Sequence, residues 1–283
     1  MFDRACRIAL IAVATLSFGS AVGAQQRPFL TEDPEVIGAG RLLIESGIEG
    51  LRGAQFPLSG LEGSLWRLPT VGVSVGIGQI AEFQIDGGFF SRLSITGRHT
   101  APLSALVNVT GTDTHDVEDT VVATKVRIVP ETATRPSFGL RFSTQLPNAR
   151  NESGLGLDTV DAFASLLAGK TIQSLRVVVN LGAGILGDPL NGYHQQTAFT
   201  YGFSLARAAS ERTEAAIDVN GLYSPGATRP VGTESRGRVT LGLRHLRGPL
   251  RFDAGLLIGL TDVDPRIGIT AGVTWAFQAF EIH

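Results

Sequence analysis

Residues 70–78 read Thr-Val-Gly-Val-Ser-Val-Gly-Ile-Gly, so that Val71, Val73, Val75 and Ile77 alternate with small or polar residues. This period of two indicates a β-strand, because successive side chains of a strand point to opposite faces. One face of the strand is aliphatic, and the other carries almost no side-chain volume. Such an element suits a sheet with one apolar surface and one polar or open surface.

The same alternation recurs along the chain and predicts twelve strands. They lie at 41–53, 67–79, 81–96, 118–130, 136–148, 159–171, 174–187, 197–209, 212–224, 235–247, 249–261 and 266–280. Short connections alternate with long ones, the long ones being 54–66, 97–117, 149–158, 188–196 and 225–234. An even strand number with this alternation is typical of a transmembrane barrel. The sequence therefore predicts an all-β fold, a transmembrane antiparallel up-and-down β-barrel of about twelve strands.

Two alternatives compete with parts of this prediction. A secreted β-sandwich also alternates apolar and polar positions, but its strands average about five or six residues and its exposed faces are richer in Lys. The only lysines here are Lys125 and Lys170, and the predicted strands are longer, which favours the barrel. The segment 159–171 also has apolar residues at helical spacing. We expect a strand there, because a helix would leave an odd strand number.

The N-terminus predicts export. Residues 1–24 have the basic start, apolar core and small residues of a secretory signal peptide. A membrane anchor is the alternative, but the apolar run is shorter than the roughly 20 residues that a spanning helix needs. We expect a signal peptide at 1–24, an N-terminal periplasmic segment at 25–40 and an outer-membrane β-barrel at 41–283. Cys6 leaves with the signal peptide, so the mature chain has no thiol for a disulfide, zinc or nucleophilic catalysis.

The charge balance limits the possible partners. The chain has 24 Lys and Arg against 26 Asp and Glu, a formal net charge of −2, whereas nucleic-acid binders usually carry a basic stripe. We therefore expect no nucleic-acid partner. With 35 glycines and a mean hydropathy of +0.17, the chain is apolar enough to fold rather than stay disordered. Nothing in the sequence predicts a cofactor.

Charged residues on the predicted inward face are the candidate functional residues. Chemistry belongs on that face, because a charge facing lipid costs roughly 2–4 kcal/mol at the bilayer midplane. The candidates that line the lumen are Glu82, Asp86, Lys125, Arg127, Arg141, Arg176, Glu214, Asp218, Arg238, Arg244, Arg251 and Asp253. Two hypotheses remain open: these charges line a charge-segregated pore, or they pair with one another and plug a narrow lumen.

For three further patterns, a structural explanation is stronger than a functional one. Glycines 182, 184 and 187 match a dinucleotide-binding spacing, but turn residues follow where that motif needs a helix. The acidic stretch 113–119 fits a solvated loop better than a divalent-cation site. None of the five histidines has a serine two residues away, as a barrel lipid hydrolase would require to activate the hydroxyl. We therefore predict no catalytic residues, no metal and no enzyme activity.

Several stretches together carry a resemblance to a known family. They are RPFLTEDPEVIG at 27–38, LRFSTQLPNARNESGLGLDTVDAFASLLAGK at 140–170, GILGDP at 184–189, GTESRGR at 232–238 and GLTDVDPRIGITAGVTWAF at 259–277. Over most of the mature chain these resemble the outer-membrane barrel family named for the putative MetA pathway of phenol degradation. The resemblance implies a transporter-like barrel of the bacterial outer membrane. The tail that follows Phe277 departs from the family pattern.

The expected function is an outer-membrane channel or transporter for passive uptake of small hydrophobic or aromatic solutes. The alternatives are a structural or surface-interaction barrel with a plugged lumen and, more weakly, an outer-membrane lipid hydrolase. Expected partners are outer-membrane lipid and lipopolysaccharide, the barrel-assembly machinery and a small solute that the sequence does not identify.

Overall fold

The fold is a closed antiparallel barrel, seen in a computed structural model that describes residues 27–226 and 229–281. Twelve strands form its wall, two of them interrupted. They are β1 (Arg41–Phe56), β2 (Leu61–Gly76), β3 (Ala81–Gly88 and Ser91–Arg98), β4 (Asp113–Asp116 and Thr120–Val129), β5 (Ser137–Leu146), β6 (Asp161–Ile172), β7 (Leu175–Gly187), β8 (Gln195–Ala208), β9 (Thr213–Tyr223), β10 (Arg236–Arg247), β11 (Leu250–Gly259) and β12 (Ile267–Gln278).

Each strand pairs with its sequence neighbours, and β1 closes the ring by pairing with both β2 and β12. Both parts of β3 pair with β2, and both parts of β4 pair with β3. The predicted twelve-stranded up-and-down barrel is thus confirmed. The segment 159–171, which also fitted a helix, forms all but the last residue of strand β6. Among the described residues no helix is long and apolar enough to cross a membrane.

The two ends of the barrel differ. At the turn end lie the short connections 77–80, 130–136, 173–174, 209–212 and 248–249. At the other, the loop end, lie the connections after β1, β3, β5, β7, β9 and β11. The loop-end connection predicted at 54–66 is wrong, because only residues 57–60 turn there and β2 already begins at Leu61. Gly60, with a φ of +73°, allows this tight turn, since other residues rarely adopt that conformation.

Side chains alternate between lumen and exterior as the sequence predicts. On β2, Ser74 and its neighbours Gly72 and Gly76 are buried, whereas the valines between them are more exposed. Large apolar side chains remain exposed on the barrel exterior, among them Ile85, Phe142, Leu166, Leu181, Phe203 and Leu243. A closed barrel satisfies every wall hydrogen bond internally, so its apolar exterior is stable against lipid.

The chain that precedes β1 lies in the lumen. Residues 27–37, here named the lumen segment, contact inward side chains of β1, β2, β3, β4, β5, β7, β9 and β11. The assignment of 25–40 as a periplasmic segment stays a prediction, but residues 27–37 lie inside the barrel. The physical reason is charge: the segment carries acids that pair with bases of the wall. The predicted signal peptide at 1–24 lies outside the described residues.

Candidate functional site

The lumen segment binds the wall most tightly around one buried lysine. Lys125 of β4 is fully buried, and its Nζ lies 3.2 Å from Oε2 of Glu32 and 3.0 Å from Oε1 of Glu82 on β3. Arg141 of β5 places Nε 2.8 Å from the other oxygen of Glu32. Asn180 of β7 accepts the backbone N–H of Glu32 at 2.7 Å. One acid of the segment thus joins three strands of the wall.

Two more acids extend this contact toward the turn end. Both oxygens of Asp33 accept hydrogen bonds from Arg176 of β7, at 2.8 Å and 2.6 Å. Glu35 pairs with Arg127 of β4. The backbone N–H of Ile37 donates to Glu82 at 2.7 Å. Charge-assisted, bidentate contacts of this kind are among the stronger hydrogen bonds in proteins.

The first residues of the segment reach the opposite wall. The Arg27 guanidinium donates to Thr70 of β2 at 2.7 Å and to Thr270 of β12 at 2.9 Å, and lies 3.7 Å from Asp253 of β11. The ring of Phe29 lies 4.5 Å from the Arg244 guanidinium, a cation–π distance. These contacts and those of the three acids hold the segment from several sides, so the segment occupies the turn-end half of the lumen.

The loop-end half contains a cavity of about 840 Å³ that is partly open to solvent. Its floor is the lumen segment, where Leu30 is 55% exposed although Phe29 before it and Thr31 after it are buried. The connections after β1, β5 and β11 also contribute to its lining. A cavity of this size is within the range that holds a small molecule.

One side of the cavity carries paired charges. Arg67 of β2 makes two hydrogen bonds to the carboxylate of Glu118 and one of 3.0 Å to Glu49 of β1. Arg238 of β10 lies 3.6 Å from the same Glu49. Two bases and two acids therefore compensate one another here.

Apart from Arg141, which binds Glu32, the side of the cavity formed by β5 to β9 is uncharged, and much of it is polar. Ser143 of β5, Ser165 of β6, Thr200 of β8 and Asn220 of β9 line it. Gly182 of β7 lies between Ser165 and Thr200 in the strand register. A solute in this cavity would meet hydroxyl and amide groups on one wall and an ion-pair network on the other.

The structure divides the sequence-predicted candidates between these regions. Contacts with the segment involve Glu82, Lys125, Arg127, Arg141, Arg176, Asp218, Arg244, Arg251 and Asp253. Asp86 and Arg238 line the cavity, and Glu214 binds Arg244 at 2.9 Å. Sequence reasoning missed the acids of the segment, although three acids within residues 32–35 complement the four bases on β4, β5 and β7.

The weaker motifs have structural explanations. The glycines at 182, 184 and 187 lie within strand β7. The prediction of a solvated loop at 113–119 is wrong, because Asp113–Asp116 is part of strand β4. The buried Asp116 accepts the backbone N–H of Arg150, and Glu118 binds Arg67. The described residues contain no cluster of His, Cys, Asp and Glu that could hold a metal. His245 lies 3.0 Å from the Thr213 hydroxyl, but no described histidine contacts a serine hydroxyl.

Comparisons with known proteins show the fold. The COG4313 outer membrane channel from Pseudomonas putida F1 superimposes with a TM-score of 0.62 at 13% identity, over 87% of this chain and 98% of that one. The translocator domain of autotransporter NalP from Neisseria meningitidis gives 0.46 at 14% identity, over 97% and 98%. A mutant of the TodX monoaromatic hydrocarbon channel gives 0.39 at 10%, over 84% and 89%.

No family model and no curated protein matches the sequence. The resemblance to the phenol-degradation family therefore stays a prediction. The closed barrel, its apolar exterior and the fold shared with an outer-membrane structure place the chain in the bacterial outer membrane.

Proposed function

We propose that the chain is an outer-membrane channel for passive uptake of small hydrophobic or aromatic solutes, closed at rest by its lumen segment. The observation that carries this proposal is the cavity of about 840 Å³ above the segment. A barrel that served only as a structural element would have no need of a solute-sized space in its lumen. The channel has no energy source of its own, so solutes would move down their concentration gradient.

The lining of the cavity supports a small and largely apolar solute. Leu51, Leu155, Leu257 and Val263 contribute apolar surface, and Leu30 adds an exposed side chain from below. Small-molecule sites are commonly apolar with a few placed polar groups. The Pseudomonas putida barrel that shares the fold is described as an outer membrane channel, which supports a channel role.

The filled turn end favours the second candidate, a structural barrel with a plugged lumen. The three acids of the segment all bind wall bases, and Lys125 is fully buried. The two candidates differ in one respect. A channel requires that the segment can move and open a path through the lumen, whereas a structural barrel does not.

The test weakens the segment without removing it. Glu32→Gln, Asp33→Asn and Glu35→Gln together remove the negative charges that bind the wall. The control variant, Glu152→Gln with Glu211→Gln and Asp262→Asn, removes three exposed acids and so changes the net charge equally. Both variants and the wild type are recorded in planar bilayers and in a liposome-swelling assay with benzyl alcohol.

We expect the segment variant to conduct and to admit the solute several-fold faster than the wild type, and the control to match the wild type. Heat-modifiable migration on gels confirms that each barrel is folded. A folded segment variant that neither conducts nor admits the solute would contradict the channel and leave the structural barrel.

A further inference from the structure

Two hydroxyl groups converge on a bare position of the cavity wall. Ser165 pairs with Gly182, and Gly182 pairs with Thr200, so the three residues lie side by side on β6, β7 and β8. A β-carbon added to Gly182 would collide with both hydroxyl oxygens. Both oxygens therefore lean over the glycine from either side, a close approach that only glycine permits.

Neither hydroxyl is used by the fold. Within the described chain, neither the Ser165 nor the Thr200 hydroxyl makes a hydrogen bond, and neither is a fully buried atom without a partner. Both residues line the cavity. A hydroxyl can donate one hydrogen bond and accept others, so the pair can satisfy both the proton and the oxygen of a solute hydroxyl.

Apolar surface accompanies the pair. Phe163, two residues before Ser165 on β6, lines the same cavity, and its ring lies where a side chain on Gly184 would stand. Leu30 exposes 55% of its surface into the lumen although its neighbours Phe29 and Thr31 are buried. The exposed leucine offers contact area that the fold itself does not cover.

The hydroxyl pair itself is neutral. Across the cavity, Arg67 and Arg238 are paired with Glu49 and Glu118. Other charged residues, among them Arg236 and Asp119, line the cavity elsewhere. The pair offers a charged solute group no ion pair to replace the hydration that the group would lose.

From this arrangement we propose that Ser165, Thr200 and Gly182 form a binding subsite for the hydroxyl group of an uncharged solute with an apolar body, such as an aromatic or aliphatic alcohol. The solute hydroxyl sits over Gly182, and its apolar body lies along Phe163 and Leu30. This inference rests on the proposed channel, since that function brings the solute to the cavity. It adds a substrate class, neutral alcohols in preference to hydrocarbons of the same shape.

The test compares two probes that differ by one hydroxyl. Binding of 4-fluorobenzyl alcohol and of 4-fluorotoluene to the full-length mature protein in detergent is measured by ¹⁹F relaxation, with protein-free micelles as the baseline. The variants are Ser165→Ala with Thr200→Val, and Gly182→Ala, which forces the two hydroxyls away from the glycine but keeps both. The matched control is Ser204→Ala, which removes an inward hydroxyl from the same strand as Thr200 at a position that does not line the cavity.

We expect the wild type and Ser204→Ala to bind the alcohol more tightly than the hydrocarbon. A net hydrogen bond contributes roughly 0.5–1.5 kcal/mol, which corresponds to about 2- to 10-fold in affinity per hydroxyl. The double variant should lose this preference, and Gly182→Ala should weaken alcohol binding while its barrel stays heat-modifiable. An unchanged preference in the folded double variant, or no saturable alcohol binding by the wild type, would overturn the subsite.

This result is separable from the proposed function. If the segment variant conducts but the alcohol preference survives loss of both hydroxyls, the channel stands and the subsite fails. If the preference follows the hydroxyls but no variant conducts, the subsite stands as a binding site and the channel fails.

Discussion

The two halves of the lumen have the same wall but different contents. The same twelve strands line both, with inward glycines, hydroxyls and charges throughout. In the turn-end half, the lumen segment occupies the lumen and its acids bind wall bases. In the loop-end half, the charges of the wall pair with one another and a cavity of about 840 Å³ is left. The alternation of apolar and polar residues along each strand therefore determines the wall. Ion pairs between residues far apart in the sequence determine which half the lumen segment closes.

The largest expected effect concerns Lys125 in the filled half. Lys125→Met should destabilise the barrel by about 3–5 kcal/mol, because it leaves the carboxylates of Glu32 and Glu82 close together and without their shared cation. Ser143→Ala, in the cavity half, is the control and should change stability by less than about 0.5 kcal/mol. Urea unfolding followed by gel mobility measures both. Equal stability of the two variants would mean that the halves do not differ in packing.

A matched pair on one strand tests packing directly. Ser204 and Thr200 both face inward on β8, but Ser204 is 7% exposed beside Asp218 and Thr200 lines the cavity. Ser204→Phe should cost roughly 1–3 kcal/mol, because it overpacks the filled half. Thr200→Phe should stay within about 0.5 kcal/mol, because the cavity accommodates the ring. A larger cost for Thr200→Phe in the same unfolding assay would contradict this assignment.

The smallest expected effect lies at the turn end, in the connection between β4 and β5. Partial burial raises the pKa of Glu131, but the Thr171 backbone N–H, Lys170 and the Arg176 charge outweigh it and lower that pKa below its ordinary value of 4.5. The stabilisation is therefore present above pH 4.5 and is lost as the pH falls through the lowered pKa. Since the group is partly exposed, Glu131→Gln should cost at most about 1 kcal/mol at pH 7.

Stability measured against pH checks the sign of this effect. The difference between wild type and Glu131→Gln should be constant near neutrality and shrink in acid. A difference that grows as the pH falls would show that the carboxylate does not stabilise the turn in its charged form.

How far the sequence predicts this structure depends on the range of the interaction. Val71, Val73 and Val75 fix their strand and its facing, because alternation is a property of adjacent residues. The polar start of β2 at Leu61 was missed, since its residues before Trp66 lack an apolar stripe. Both outcomes depend on interactions between residues that are adjacent in the sequence.

The lumen segment could not be placed from the sequence in the same way. Glu32 and Lys125 are 93 positions apart, and Asp33 and Arg176 are 143 apart. A Pro- and acid-containing stretch between a predicted signal peptide and the first strand has the composition of a solvated linker. Only the match between its three acids and the four bases of β4, β5 and β7 could have indicated that the segment lies in the lumen.

The most direct test of the central claim, that the lumen segment closes the barrel, is a reversible lock. A β-carbon built on Gly202 of β8 lies 3.2 Å from Cγ2 of Thr31, so Thr31→Cys with Gly202→Cys brings two thiols within reach of a disulfide. The pair is introduced together with the three segment substitutions, and single-channel current is recorded before and after reduction. We expect no current from the oxidised barrel and current once dithiothreitol releases the segment, whereas equal current in both states would contradict the account.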